Sequence, residues 1–199
     1  MLRAAPLIAR LLPPLLCLGT AAQQPSQFDS TGQIERDGRP AAYRIRRLPV
    51  SSFPELPAPL QAELMRRGCL IPQTYEAHRP ENVIHGSLAG PGSDDWALLC
   101  SVDGQVSLLV AFSGDPAAVV ALATYPEVRR LQPHGAEGEL GFNWGIDPAS
   151  PAQVRQAQAA MRPRPAAIDH DALADGVVDG RIVYRYYTRN TWTRLDTPE

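Results

Sequence analysis

The sequence predicts a single α+β domain: a mostly antiparallel sheet of about five to seven strands with two or three short helices. Three observations predict it. Residues 82–113 hold three strand-like runs, punctuated by Gly90-Pro91-Gly92 and by Asp103-Gly104, as in a meander. Helical patterning is confined to short stretches that start on proline and stop at glycine or proline. The chain has 199 residues, 44% hydrophobic and 20% charged, which is ordinary for one globular core.

Residues 1–22 read as a secretory leader. Arg3 and Arg10 supply its positive end, Leu11–Gly19 is apolar but too short to span a bilayer, and Thr20-Ala21-Ala22 suits cleavage before Gln23. Pro13 and Pro14 argue against a buried helix there. Residues 23–50 form a polar segment with one strand, at the alternating Tyr43-Arg44-Ile45-Arg46. Residues 51–199 make the α+β domain. Ser51–Pro59 is proline-rich and extended, and a helix follows over Pro59–Arg67, with Leu60 and Leu64 on one face, Arg66 and Arg67 in the last turn and Gly68 as its left-handed cap.

Strands are expected at Asn82–Leu88, Trp96–Val102 and Gln105–Phe112. The last is nearly all apolar, so helices are expected to pack over the meander. Asp115-Pro116 caps a short buried helix through Ala123, ended by Pro126. Glu139–Ile146 is a strand weakened by Gly141 and Gly145. Ser150-Pro151-Ala152-Gln153 is a capping box that opens a helix carrying Val154, Ala157 and Met161 on one face. Arg181–Asp196 reads as a hairpin turning near Arg189-Asn190.

Composition narrows the function classes. All 19 basic residues are arginine, the mark of a high-GC genome, and the net charge of -2 disfavours a nucleic-acid partner. No second long apolar run follows the leader, which excludes a multipass membrane protein; after leader removal the chain is not integral to a membrane. Cys17 falls within the leader, which leaves Cys69 and Cys100. In an oxidising compartment that pair reads as one disulfide closing a loop of about 30 residues. Two buried thiols, or a metal pair with a histidine, stay open. The four histidines His78, His85, His134 and His170 show no CxxC or HxxxH spacing.

The most suggestive chemistry lies in Asp169-His170-Asp171-Ala172-Leu173-Ala174-Asp175. Alternating carboxylates at Asp169, Asp171 and Asp175 are what a hard cation wants, but an EF-hand loop fails here at Leu173, Ala174 and Gly180. The plain alternative is turn and cap chemistry, with Asp169 or Asp171 starting a short helical turn. His170 with an aspartate partner is the candidate catalytic residue. No GxSxG elbow, phosphate loop or HExxH supports an enzyme. Gly86–Trp96 reads as a structural turn. Tyr184, Tyr186, Tyr187 and Trp192 with Arg185 form either core and cross-strand pairs or an aromatic–arginine binding patch.

Arg67-Gly68-Cys69-Leu70-Ile71-Pro72-Gln73, Asn82-Val83-Ile84-His85-Gly86, Asp95-Trp96-Ala97-Leu98-Leu99-Cys100-Ser101 and Asp169-His170-Asp171 with Asp175, then Tyr184 and Trp192, occur in that order. Together they resemble an uncharacterised family of exported bacterial proteins, over about residues 53–195. The resemblance implies export and pairing of Cys69 with Cys100. It brings no established activity and assigns no catalytic residue. Ala172 stands where the family pattern suggests glycine, which argues against a tight metal-binding turn.

The expected function is therefore a periplasmic or secreted binding or envelope-accessory module, with an envelope component or a protein as partner, no nucleic acid and no cofactor. The alternatives are an envelope hydrolase using His170 with a neighbouring aspartate, and a cation-stabilised module.

Overall fold

The computed structural model describes residues 26–136 and 138–196. Among the described residues the fold is β-sandwich-like, 47% strand, with sheets of four, six and four strands and two α-helices. This corrects the expectation of an α+β domain built on one sheet of about five to seven strands. The correction has identifiable sources in stretches whose patterning was too weak or too ambiguous to read. The leader expected at residues 1–22 lies outside the described residues.

The first source is the N-terminal segment. It holds three strands where one was expected: β1 (Ser30–Arg36), β2 (Arg39–Ile45) and β3 (Arg47–Pro49). Asp37 and Gly38, at φ 52° and 74°, make the tight turn between β1 and β2. The second source is the stretch after Asp115. Its carboxylate does accept from the Ala117 amide at 2.8 Å, but only one tight turn, Pro116–Ala118, follows. Val119 and Val120 are β-branched and meet an open strand edge, so the chain extends.

The six-stranded sheet contains β3, β4 (Leu70–Pro72), β5 (Val83–Gly86), β6 (Asp95–Val102), β7 (Gln105–Ala111) and β8 (Val119–Pro126), ordered β3-β4-β6-β7-β8 with β5 also on β6. Asp103 and Gly104, at φ 49° and 75°, turn β6 into β7 as predicted. The predicted strand Glu139–Ile146 is two strands, β10 (Glu139–Phe142) and β11 (Trp144–Ala149), and the chain changes sheets at Asn143. With β9 (Leu131–His134), β10 completes the first sheet, ordered β1-β2-β10-β9. β10 runs parallel to β2, with Gly141 beside Arg44. The third sheet is β11, β12 (Ala172–Val177), β13 (Ile182–Thr188) and β14 (Thr191–Asp196) in that order. Arg189 and Asn190, at φ 51° and 59°, turn the final hairpin where the sequence placed it.

The six-stranded sheet is the central layer. Ala97, Leu99, Val106, Leu108 and Val110 on one face meet Ile45, Leu140 and Phe142 of the first sheet and Trp144, Ile146 and Leu173 of the third. Trp96, Leu98, Cys100, Leu109 and Ala111 on the other face meet Leu60 and Leu64 of α1 (Ala58–Arg66), with Val50, Phe53 and Leu56. The apolar run of β7 is covered on both sides, by a helix on one and by strands on the other. A continuous apolar pattern demands cover without specifying its kind.

Two of the three helices that the sequence signals are realised, α1 and the one opened by the capping box. Past α1, Gly68 at φ 73° closes a Schellman turn, with the Cys69 amide on the Leu64 carbonyl (3.0 Å) and the Gly68 amide on the Met65 carbonyl (2.9 Å). At α2 (Pro151–Ala157), the Ser150 hydroxyl accepts from the Gln153 amide while the Gln153 side chain accepts from the Ser150 amide. Val154 then packs on Ala149, Ala172, Tyr186 and Leu195 of the third sheet.

Cys69 and Cys100 form a disulfide with Cα atoms 5.3 Å apart. Among the described residues, no helix is long and apolar enough to cross a membrane.

On the exposed side of α1, Glu63 accepts from Arg66 at 2.8 and 2.7 Å and from Arg67 at 2.7 Å. Those bonds, Arg66 foremost, hold its carboxyl down at about 2. The folded value lies below the unfolded one. Its contribution is therefore present at neutral pH and is lost as pH falls through about 2. NMR titration of the Glu63 side chain is expected to give that low midpoint. Arg66→Gln with Arg67→Gln should return it to near the usual 4.3 or so. A midpoint above about 4 in the unaltered protein would count against the pairing.

Candidate functional site

The acidic run does not converge on a common point. Asp169 is exposed and its Oδ1 lies 3.2 Å from His170 Nδ1. His170 is buried, and its Nε2 lies 2.8 Å from the Tyr187 carbonyl, to which it donates. Both ring nitrogens are engaged, so the imidazole ties the 169–171 segment to β13. Asp171 turns instead toward Ser87: its amide donates to the Ser87 carbonyl (3.0 Å) and its Oδ2 accepts from the Ser87 amide (2.9 Å). These residues lead directly into β12, where the sequence suggested a helical turn. Among the described residues no group of three or more His, Cys, Asp or Glu is placed to hold a metal ion.

Asp175 lies in β12 and faces inward, 6% exposed. It accepts from Trp144 Nε1 (2.5 Å) and from Arg185 Nε (2.6 Å). Arg130 lies over the rings of Tyr125 (3.9 Å) and Trp144 (4.5 Å). Burial pushes its guanidinium below its ordinary value, and the nearby Tyr125 and Asp175 partly offset this. The result is a buried charge array that joins β8 of the central sheet, through Arg130, to the third sheet.

The aromatic residues of the C-terminal hairpin also face inward. Tyr186 is buried and Tyr184 half-buried against α2. Tyr187 and Trp192, with ring centroids 5.4 Å apart, pack with Phe112 beside the main core. Arg185 is committed to Asp175. Strand parity explains the division: Tyr184 and Tyr186 share one face of β13, Arg185 and Tyr187 the other.

A cleft of another kind lies on the first sheet. Arg44 near the end of β2 and Arg46 just past it flank the buried Ile45, so both project away from the core. With Arg47, His78, Arg79 and Asp29 they line a cavity of about 360 Å³. Arg44 and Arg46 also line an adjoining cavity of about 180 Å³ with Tyr75 and His134. The Tyr75 and His134 rings are stacked, 4.7 Å between centroids and 5° from parallel. They lie over Gly141: a Cβ there would come within 2.5 Å of Tyr75 Cβ and 2.6 Å of His134 Cδ2. Gln132 donates to the Tyr75 hydroxyl at 2.6 Å and accepts from Asn143 at 2.9 Å, which fixes the tyrosine ring.

Another cavity, about 240 Å³, is lined by Thr74, Glu81, Asn82 and Asp147 among others. Its buried polar groups are already used: Glu81 accepts from the Thr74 amide, and Asn82 bridges the Pro72 carbonyl and the Ile146 amide. The arginine cleft differs in keeping donors unspent.

Sequence reasoning did not single out this cleft. The alternation Tyr43-Arg44-Ile45-Arg46 already placed two arginines on one strand face, which was the available signal. That Tyr75, Arg79 and His134 join them depends on long-range chain crossings that no local pattern carries.

No family model matches the chain, and neither a curated protein nor a solved structure matches it.

Proposed function

We propose that the protein is an exported, non-catalytic binding module whose site is the arginine-lined cleft on the outer face of the first sheet. The observation that carries this reading is the convergence of Arg44, Arg46, Arg47 and Arg79 on one cavity, beside the Tyr75–His134 stack, in a chain whose net charge is -2. Arginine and tyrosine are the residue types that dominate recognition surfaces. The disulfide, the leader-like N-terminus and the resemblance to exported proteins favour a periplasmic or secreted location. His170 supports a hydrolase poorly, because its ring nitrogens are spent on Asp169 and on the Tyr187 carbonyl.

Cosedimentation of the purified protein with isolated cell envelopes tests the reading. The unaltered protein and a His170→Ala variant are expected to bind alike, and an Arg46→Ala, Arg79→Ala variant to stay in the supernatant. Equal cosedimentation of the arginine variant would remove the cleft from consideration.

A further inference from the structure

We infer that the arginine cleft takes a phosphate monoester carried on a compact organic group; this rests on the cleft being the binding site. The four arginines are not equivalent. Arg47 is spent on Glu127, with Nε on Oε1 at 3.1 Å and Nη2 on Oε2, and Glu127 is buried and also accepts from Ser101. Arg44 is spent on Asp29, with Nε at 3.0 Å and Nη2 at 2.8 Å from Oδ2. Two cations remain without an anionic partner. Arg46 donates from Nη2 to the neutral Ala77 carbonyl at 2.8 Å, and its Nε is buried with no acceptor. Arg79 is exposed and makes no hydrogen bond or ion pair among the described residues.

An unmet donor on a guanidinium shielded from water is costly, and an oxyanion is the group that meets it best. Two unpaired guanidinium groups in one cavity call for two negative charges. A phosphate monoester carries nearly two at neutral pH, and its oxygens match the guanidinium fork. A single carboxylate would leave one cation unmatched. The cavity, about 360 Å³, is within the range of small-ligand sites. The adjoining cleft shares Arg44 and Arg46 and offers the Tyr75–His134 stack as a flat wall for the organic part, such as a sugar ring.

Calorimetric titration of the purified protein tests this. Glucose 6-phosphate is expected to bind and glucose not to bind. Glucuronate, the carboxylate analogue, and inorganic phosphate, which lacks the organic part, should each bind at least about tenfold more weakly than glucose 6-phosphate. Arg46→Gln and Arg79→Ala should each weaken binding by about ten- to a hundredfold. Arg79 is exposed, so its variant reads binding even if the Arg46 variant folds poorly.

Vesicles of phosphatidic acid distinguish the source. Binding to them with no binding of glucose 6-phosphate would place the same phosphate chemistry on a lipid and still support the class. Glucuronate binding as tightly as glucose 6-phosphate, with the same dependence on Arg46 and Arg79, would overturn the phosphate class and leave the cleft standing. No binding of any of these probes, or binding that ignores both arginines, would overturn the phosphate proposal; the envelope experiment then decides separately whether the cleft binds anything.

Discussion

Asp175→Ala is expected to cost about 3–5 kcal/mol of folding stability, among the largest losses available to a single substitution in this chain. The carboxylate is 6% exposed and accepts from both Trp144 Nε1 and Arg185 Nε. Alanine would leave the Arg185 cation, itself 12% exposed in its side chain, without its anion. It would also leave the Trp144 indole N–H without an acceptor, in a residue that is fully buried. Arg130, stacked over Trp144, would lose a favourable charge as well. Asp175→Asn keeps an acceptor for the indole and should cost less than alanine. Pairing Asp175→Ala with Arg185→Met should recover part of the loss, since removing both charges is milder than orphaning one. Urea denaturation measures each variant. A loss below about 1 kcal/mol for Asp175→Ala would show that the array is solvated and the argument wrong.

That same carboxylate shows where the sequence was hard to read. Asp171, Leu173 and Asp175 alternate with Ala172 and Ala174, a period-two pattern that belongs to a strand. Aspartate is a poor strand former and a good cap, so local preference favours a turn there. The buried Trp144 and Arg185 reverse that preference by supplying partners, and neither is local. The capping box at Ser150, the glycine stop at Gly68 and the turns at Asp103-Gly104 and Arg189-Asn190 were legible because each depends on atoms within a few residues. Asp37-Gly38 carried the same turn signal. It was obscured because β1 and β2 are mostly exposed and show little apolar alternation. The helix expected after Asp115 failed for the opposite reason: its apolar residues suited either element, and the free edge of β7 decided the outcome.

The candidate site divides along the same line. The pairing of Cys69 with Cys100 was legible from their count and the expectation of export, and Tyr184 and Tyr186 were placed on one face of the hairpin strand with Tyr187 on the other. Which of those faces is solvent was not legible. The third sheet is sandwiched between the main core and α2, so both faces are covered. The arginine cleft is assembled from β2, β3, the segment after β4 and the β9–β10 pair, and only the arrangement of sheets brings these together.

Removing the disulfide should produce the second large effect. Cys69→Ala with Cys100→Ala is expected to cost about 3.5–4 kcal/mol, because the cross-link closes a loop with a sequence separation of 31. In a chain of this length that corresponds to a melting temperature lower by on the order of 10 °C. The position of the bond explains why the fold depends on it. Cys69 follows directly on the Schellman turn that ends α1, and Cys100 lies in the middle strand of the central sheet. β4 begins at the next residue and meets β6 through a single register pair, Leu70 with Ser101. The covalent link therefore reinforces a thin pairing at the point where the helical layer joins the sheet. Both sulfurs sit in the buried cluster beneath α1, so alanine adds no buried hydroxyl as serine would. Reductant should lower the melting temperature of the unaltered protein to that of the double variant and leave the variant unmoved. Two thiols reactive in the folded protein, together with a melting temperature indifferent to reductant, would instead identify Cys69 and Cys100 as free buried cysteines.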